Sequence, residues 1–254
     1  MTNRHYQDPD TVPWLSARNV EPTIKARSDL HPRVLDPPVT STTLTRLLIQ
    51  LLDNDPTTII CNSQPNTVSK FMTTDINNSP AFNMGVRGLC GCTAIVLTNP
   101  NAVYMAHFWE DLSFNAGGGL TADQNFQNNV INFLSNGGVG GPSLVQHAND
   151  FNDPSTLLIV VSPNYRRRLL YNQAGSDYIN QLVAHIQTTL PAATNLGPWI
   201  YPYIPVSSGT TNGDLELDNT AKGRLLFQFS PGQVTGAEKN QRIYFQTNRI
   251  FDAP

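Results

Sequence analysis

The chain has few charged residues and no excess of positive charge, and this shortage bears on its partners. Charged residues make up 14% of its 254 residues, compared with about 25% in a typical globular domain. The net charge is −3, and no basic stripe follows any predicted helix or strand. Proteins that bind nucleic acid usually carry such a stripe. We therefore expect no nucleic acid among the partners.

Cysteines and long apolar runs are also scarce. Three cysteines, Cys61, Cys90 and Cys92, are too few for a disulfide scaffold in a chain of this size. No apolar run reaches the roughly 20 residues that span a bilayer, and residues 1–5 lack the apolar core of a signal peptide. We expect a cytoplasmic protein without a membrane span. Delivery into another cell's cytosol by a route without such a signal stays open.

What the sequence does contain is a pair of apolar segments around a short turn. Residues 89–96 and 102–109 are rich in residues that favour strands, and Asn99, Pro100 and Asn101 lie between them. This pattern predicts a β-hairpin. One strand carries Cys92 and the other carries His107. The hairpin is therefore the candidate site for a reaction that uses a thiol and an imidazole.

The position of the turn predicts which residues face each other. A symmetric loop centred between Asn99 and Pro100 pairs residues whose numbers add up to 199, as 92 and 107 do. We expect Cys92 to lie directly opposite His107, with Cβ atoms about 4.5–5.5 Å apart. At that distance the imidazole can take the thiol proton, and the thiolate is the nucleophilic form. Cys92 should then be the most readily alkylated thiol of the chain.

Simpler interpretations of these residues stay open. Taken alone, Cys92 would be a small core residue and His107 a buried histidine. Cysteine and histidine are also metal ligands, but Cys61, Cys90 and Cys92 with the scattered histidines show no zinc-binding spacing. We expect neither a metal nor a cofactor.

A family resemblance adds to this interpretation. The run L-C-G-C at residues 89–92, followed by M-A-H-F at residues 105–108, resembles the glutamine deamidases of the CheD and cytotoxic necrotizing factor superfamily. Those proteins carry a nucleophilic cysteine at the end of an L-S-G-C type motif and a histidine on the adjacent strand. The spacing of fifteen residues from Cys92 to His107 is similar to that of the necrotizing factors. The resemblance covers about twenty of the 254 residues.

The resemblance implies a cysteine-dependent protein-glutamine deamidase, an enzyme that converts a glutamine side chain to glutamate through a thioester. Cys92 would be the nucleophile and His107 the general base and acid. The partner would be a protein that presents an exposed glutamine, with Rho-family GTPases as the first substrates to test, and the chain would be a toxin or effector. A transglutaminase or thiol protease would use the same pair. A non-catalytic interaction module would need neither residue.

The chain departs from the family motif at two positions. Cys90 replaces the usual serine, and Val86 stands where several relatives have threonine. In the necrotizing factors, a main-chain carbonyl orients the histidine that corresponds to His107. By resemblance, we expect that carbonyl near residues 59–62. Glu110 and Asp111, just after the histidine strand, are placed to line a cleft.

The remaining pattern predicts the fold class. Strands that alternate with a few helices, and at least one hairpin, indicate a mixed α/β (α+β) fold. The family resemblance implies a mixed, mainly antiparallel central β-sheet or β-sandwich flanked by helices. Leucines at helical spacing predict a helix from Thr42, and Thr121 with Gln124 predicts a capping box that opens a second one. Residues 62–80 are expected to form a polar loop. Frequent prolines make residues 1–40 an N-terminal arm, which leaves residues 41–254 as a single catalytic domain.

Overall fold

A computed structural model describes residues 40–61, 67–75, 79–165, 168–169, 178–193, 197–206, 209–231 and 240–253. Within these residues the chain forms two mixed, mainly antiparallel sheets with helices on their outer faces. The predicted α+β fold class is confirmed. The predicted N-terminal arm lies outside the described residues, except for Thr40.

The larger sheet has six strands and contains the cysteine hairpin. Its order is β2, β5, β4, β6 and β7, and β8 adds to β6 in parallel while the other pairs are antiparallel. The strands are β2 (Val68–Thr73), β4 (Thr93–Asn99), β5 (Ala102–Phe108), β6 (Leu157–Tyr165), β7 (Arg168–Leu169) and β8 (Trp199–Tyr203). The hairpin strands β4 and β5 are fully buried along their length.

The smaller sheet has five strands, in the order β1, β3, β9, β10 and β11. The short strand β1 pairs with β3 in parallel, and the other pairs are antiparallel. The strands are β1 (Ile59–Ile60), β3 (Phe82–Val86), β9 (Leu225–Ser230), β10 (Asn240–Phe245) and β11 (Asn248–Ala253).

Some of the helices begin at side-chain caps that the sequence supplies. The Thr40 side chain accepts the backbone N–H of Thr43, and Thr121 with Gln124 forms the predicted capping box. The helices are α1 (Ser41–Ile49, continued by a π turn over Gln50–Asn54), α2 (Glu110–Ser113), α3 (Ala122–Phe126), α4 (Asn132–Asn136), α5 (Ala148–Phe151), α6 (Tyr178–Thr189) and α7 (Thr211–Asn219). A π turn over Gln127–Ile131 joins α3 to α4, and a 3-10 turn over Val145–His147 precedes α5.

The two sheets pack face to face. Val96 and Met105 from the larger sheet and Met84 and Phe227 from the smaller one belong to one buried apolar layer. The outer face of the larger sheet packs against α3 to α6, and the outer face of the smaller sheet packs against α1. Burial of each such large side chain contributes about 1.5–3 kcal/mol, so these layers hold the hairpin firmly in place.

The prediction of a polar loop over residues 62–80 is wrong in part, because β2 occupies Val68–Thr73. This strand contains the polar residues Ser69 and Lys70, which hide its apolar pattern. Ser69 is buried and its hydroxyl donates to the carbonyl of Pro142 at 2.6 Å. A tertiary hydrogen bond thus stabilises a strand that the local sequence pattern does not predict.

Candidate active site

The cysteine hairpin forms, but its register differs from the prediction. Strands β4 and β5 pair Ala94 with His107, so opposed residue numbers add up to 201 instead of 199. The expectation that Cys92 lies directly opposite His107 is therefore wrong.

The side chain of Asn99 explains this register. Its Oδ1 accepts the backbone N–H groups of Asn101 and Ala102, at 2.8 and 2.9 Å. These bonds close a two-residue turn of Pro100 and Asn101, with Asn99 and Ala102 as the last pair of the ladder. Asparagine commonly organises turns in this way, so this signal was present in the sequence.

A change of register by two residues preserves the face on which a side chain lies, because strand side chains alternate with period two. Cys92 and His107 accordingly lie on the same face, towards the apolar layer between the sheets, and are 2% and 1% exposed. They are diagonal neighbours, a relation with typical Cα distances of about 7–8 Å. Within the described residues no hydrogen bond joins them.

The His107 side chain is buried without a hydrogen-bond partner. Among the residues that the structure describes, neither ring nitrogen has one. Burial lowers the pKa of His107 to about 4, so the imidazole is neutral near pH 7. A neutral imidazole offers one N–H donor and one acceptor lone pair.

The expectation of an orienting carbonyl near residues 59–62 is not met over 59–61. The reason is topological, because β1 belongs to the smaller sheet and the strand beside His107 is β2. Asn62, the last of those residues, lies outside the described residues.

Cys92 is held as a thiol in this structure. A hydrogen bond with the Cys90 side chain and then burial raise the pKa of Cys92 well above its usual range. The backbone N–H of Glu110 donates to the Cys92 sulfur and acts in the opposite direction. The Tyr203 hydroxyl also donates to the Cys92 carbonyl at 2.7 Å. The Cys92 side chain is thus a protonated thiol, and its backbone is anchored.

Glu110 lies against the peptide that joins the two cysteines. A Cβ atom at Gly91 would lie 1.8 Å from Glu110 Oε2, so glycine at this position leaves room for the carboxyl group. Burial, the neighbouring Asp111 and Cys90 raise the pKa of Glu110 to about 7. Glu110 thus lies beside the two cysteines.

The segment before the cysteines is supported by a loop that sequence reasoning did not connect with it. The N–H of Leu89 donates to the carbonyl of Gly223 at 3.0 Å. Gly223 has φ +65°, and a Cβ atom there would lie 2.8 Å from the carbonyl oxygen of Leu89. The position therefore favours glycine for both its conformation and its closeness to Leu89.

Cys61 is buried behind the strand that carries His107, and its sulfur contacts the main chain of His107. Its thiol donates to the carbonyls of Val68 and Met105, both at 3.4 Å, and burial raises its pKa to about 12. Cys61 is a core residue.

A scan of protein-family models finds no match to this chain, and a search of curated proteins finds none either. In the part of the chain that the structure describes, every helix is too short or too polar to cross a bilayer. The same residues contain no group of three or more histidine, cysteine or acidic side chains placed to hold a metal ion.

The sequence predicts that Cys92 is alkylated most readily, but the exposure of the three thiols in the structure favours a different order. Cys90 is partly exposed, whereas Cys92 is nearly covered and Cys61 is inaccessible. We expect iodoacetamide to label Cys90 first and Cys61 last near neutral pH, as measured by peptide mass spectrometry. Cys90→Ala should speed labelling of Cys92, because it removes the bond that favours the protonated thiol. Fastest labelling of Cys61 would contradict this order.

Burial of neutral His107 predicts a loss of stability in acid. Its pKa is about 4 in the fold and 6.5 when unperturbed, so between these values the unfolded chain binds more protons. The free energy of unfolding is fully retained above pH 6.5, and it falls by about 3 kcal/mol as the pH drops towards 4. His107→Gln should remove this dependence, which urea unfolding at several pH values measures. Parallel pH curves for the two proteins would contradict the assignment.

Proposed function

We propose that this chain is a cysteine-dependent protein-glutamine deamidase, with Cys92 as the nucleophile and His107 as the general base and acid. One observation carries the proposal: a neutral, buried histidine with unpartnered ring nitrogens lies on the same face as a thiol of the adjacent strand. The neutral imidazole has a free lone pair for the thiol proton, and because burial lowers the pKa of His107 to about 4, the proton transfer requires a rearrangement of the site when substrate binds.

The reaction begins with a movement of the thiol. Cys92 rotates from Cys90 towards His107 and passes its proton to the imidazole. Catalytic hydrogen bonds are often long in the free enzyme and shorten when substrate binds. The N–H of Glu110, which already points at the Cys92 sulfur, stabilises the thiolate that forms.

The thiolate then attacks the carboxamide carbon and forms a carbon–sulfur bond. The imidazolium returns its proton to the leaving nitrogen as the carbon–nitrogen bond breaks, and ammonia departs from the thioester. Water next gives a proton to His107 and attacks the thioester carbon. The carbon–sulfur bond breaks and Cys92 regains its proton, so the net change is glutamine and water to glutamate and ammonia.

The substrate in this proposal is a protein with an exposed glutamine side chain. Cys92 is almost covered, so the proposed reaction requires a slender group such as a single side chain. Rho-family GTPases are the first substrates to test, in the role of a toxin or effector. We place the reaction in the cytoplasm, where free thiols such as Cys90 and Cys92 stay reduced.

The test is the product. The chain is incubated with a purified Rho-family GTPase and, separately, with a cell extract, and peptides are compared by mass spectrometry. The proposal expects one glutamine peptide to change by the mass of an amide-to-acid exchange, with release of ammonia. New amine cross-links would indicate a transglutaminase, and cleaved peptides a protease. No change in any protein would favour an interaction module.

A further inference from the structure

The indole nitrogen of Trp109 is a buried donor without an acceptor. Among the described residues, Trp109 Nε1 has no hydrogen-bond partner, although part of the ring reaches solvent. A buried N–H left unpaired is unfavourable, so folded proteins rarely keep one. The same is true of both ring nitrogens of His107. Three unpaired polar atoms therefore belong to two neighbouring side chains.

The observed register places Trp109 beside the nucleophile. The last ladder pair is Thr93 with Phe108, and one further step brings Cys92 opposite Trp109. The hydrogen bond from the N–H of Glu110 to the Cys92 sulfur shows that the chain immediately after Trp109 does lie against this cysteine.

The two aromatic rings adjoin each other. The ring centroids of His107 and Trp109 are 6.0 Å apart, with 60° between the planes. Trp109 also packs against the apolar layer that contains Cys92. The unpaired nitrogens thus belong to two adjoining rings on the face of the sheet that carries Cys92.

The unpaired atoms match the polar atoms of a carboxamide. Tryptophan is only a donor, whereas neutral histidine is both donor and acceptor. A carboxamide has an oxygen that accepts and an NH₂ group that donates. A carboxylate has acceptors only, so it would leave the acceptor nitrogen of the imidazole without a donor.

We propose that Trp109 is a substrate-binding residue, whose indole N–H donates to the oxygen of the carboxamide that Cys92 attacks while His107 faces the amide nitrogen. This inference rests on the proposed function for the identity of the reaction. As the carbonyl carbon becomes tetrahedral, its oxygen gains negative charge and the bond from Trp109 becomes stronger. Trp109 would supply one donor of the oxyanion hole.

The first test observes the indole directly in the full-length Cys92→Ala chain, which binds without turnover. Three tryptophans give three indole N–H resonances in a ¹⁵N-labelled sample, and Trp109→Phe assigns one of them. Propionamide is expected to shift the Trp109 resonance selectively, and propionate at equal concentration to shift it far less. An unmoved Trp109 resonance, or equal shifts of all three, would overturn the proposal.

The second test is kinetic. Trp109→Phe should lower kcat by about 100- to 1000-fold with little change in KM, since the lost bond matters most in the transition state. Trp199→Phe is the matched control, because Trp199 is 42% exposed on β8, and it should keep full activity. Unchanged kcat in a folded Trp109→Phe protein would overturn the proposal.

The two tests separate this inference from the proposed function. If propionamide shifts the Trp109 resonance selectively but no protein releases ammonia, the deamidase proposal is wrong and the amide-binding role of Trp109 is supported. An active wild-type enzyme with an equally active Trp109→Phe variant would retain the deamidase and reject the role of Trp109.

Discussion

Replacing Cys92 with alanine is expected to abolish glutamine deamidation and leave the fold intact. In the proposed mechanism the sulfur forms the bond to the substrate, and neither His107 nor Glu110 can replace it in a thioester mechanism. Loss of a nucleophile lowers kcat by more than about 10⁴-fold. The side chain loses one heavy atom, so the free energy of unfolding should fall by only about 1 kcal/mol. Ammonia release and urea unfolding measure the two effects.

The matched control for this variant is Cys61→Ala. Cys61 is also buried in the layer between the sheets, and its sulfur contacts main-chain groups, among them the backbone of His107. The control should cost similar stability and leave deamidation unchanged. If Cys92→Ala were as active as Cys61→Ala, Cys92 would not be the nucleophile.

Replacing His107 with glutamine is expected to give the second-largest loss. Glutamine preserves a polar planar side chain but cannot take up the thiol proton, so the rate should fall by about 100- to 10,000-fold. Because the pKa of His107 is lowered to about 4, the wild-type rate should show no loss from histidine protonation between about pH 7 and pH 5. The rate of glutamate formation over this range checks both statements.

His185→Gln is the matched control. His185 is a partly buried histidine on α6, hydrogen-bonded to the Ser135 hydroxyl at 3.2 Å. It lies on the helical side of the larger sheet, away from Cys92, and its replacement should leave the rate unchanged. A His107→Gln protein as active as this control would mean that another group accepts the proton.

Much of the fold was predictable because its elements carry strong local signals. Leu44, Leu47 and Leu48 recur at helical spacing and all are buried in α1. Thr121 and Gln124 predict the start of α3, and both hydrogen bonds of the capping box form. Such local patterns survive because tertiary packing agrees with them.

Register was harder to predict than the elements themselves. The hairpin strands are as expected, but their pairing depends on which atoms the Asn99 side chain binds. A symmetric loop centred one residue earlier fits the same apolar pattern, since a change of the pair sum by two leaves every side chain on its own face. Hydrophobic alternation therefore identifies the buried face without deciding the exact partners.

The composition of the site shows the same limit. Cys92 and His107 share a face, as the hairpin pattern predicts, whereas their neighbours depend on contacts that local sequence does not encode. Glu110 meets Gly91 only in the observed register. Tyr203 reaches the Cys92 carbonyl from a strand 111 residues further along the chain. Long-range contacts of this kind need the whole topology.

The hydrogen bond from Tyr203 to Cys92 also has a consequence for biosynthesis. A growing chain contains both Cys92 and His107 long before Tyr203 and Gly223 leave the ribosome. The parallel addition of β8 to β6 needs the long crossover that separates them, and domains generally fold as units. The residues that anchor the cysteine segment are thus translated well after it, so a nascent chain contains Cys92 before it contains the residues that hold Cys92 in place. The backbone around Cys92 is therefore fixed only after the later strands and loops have been made.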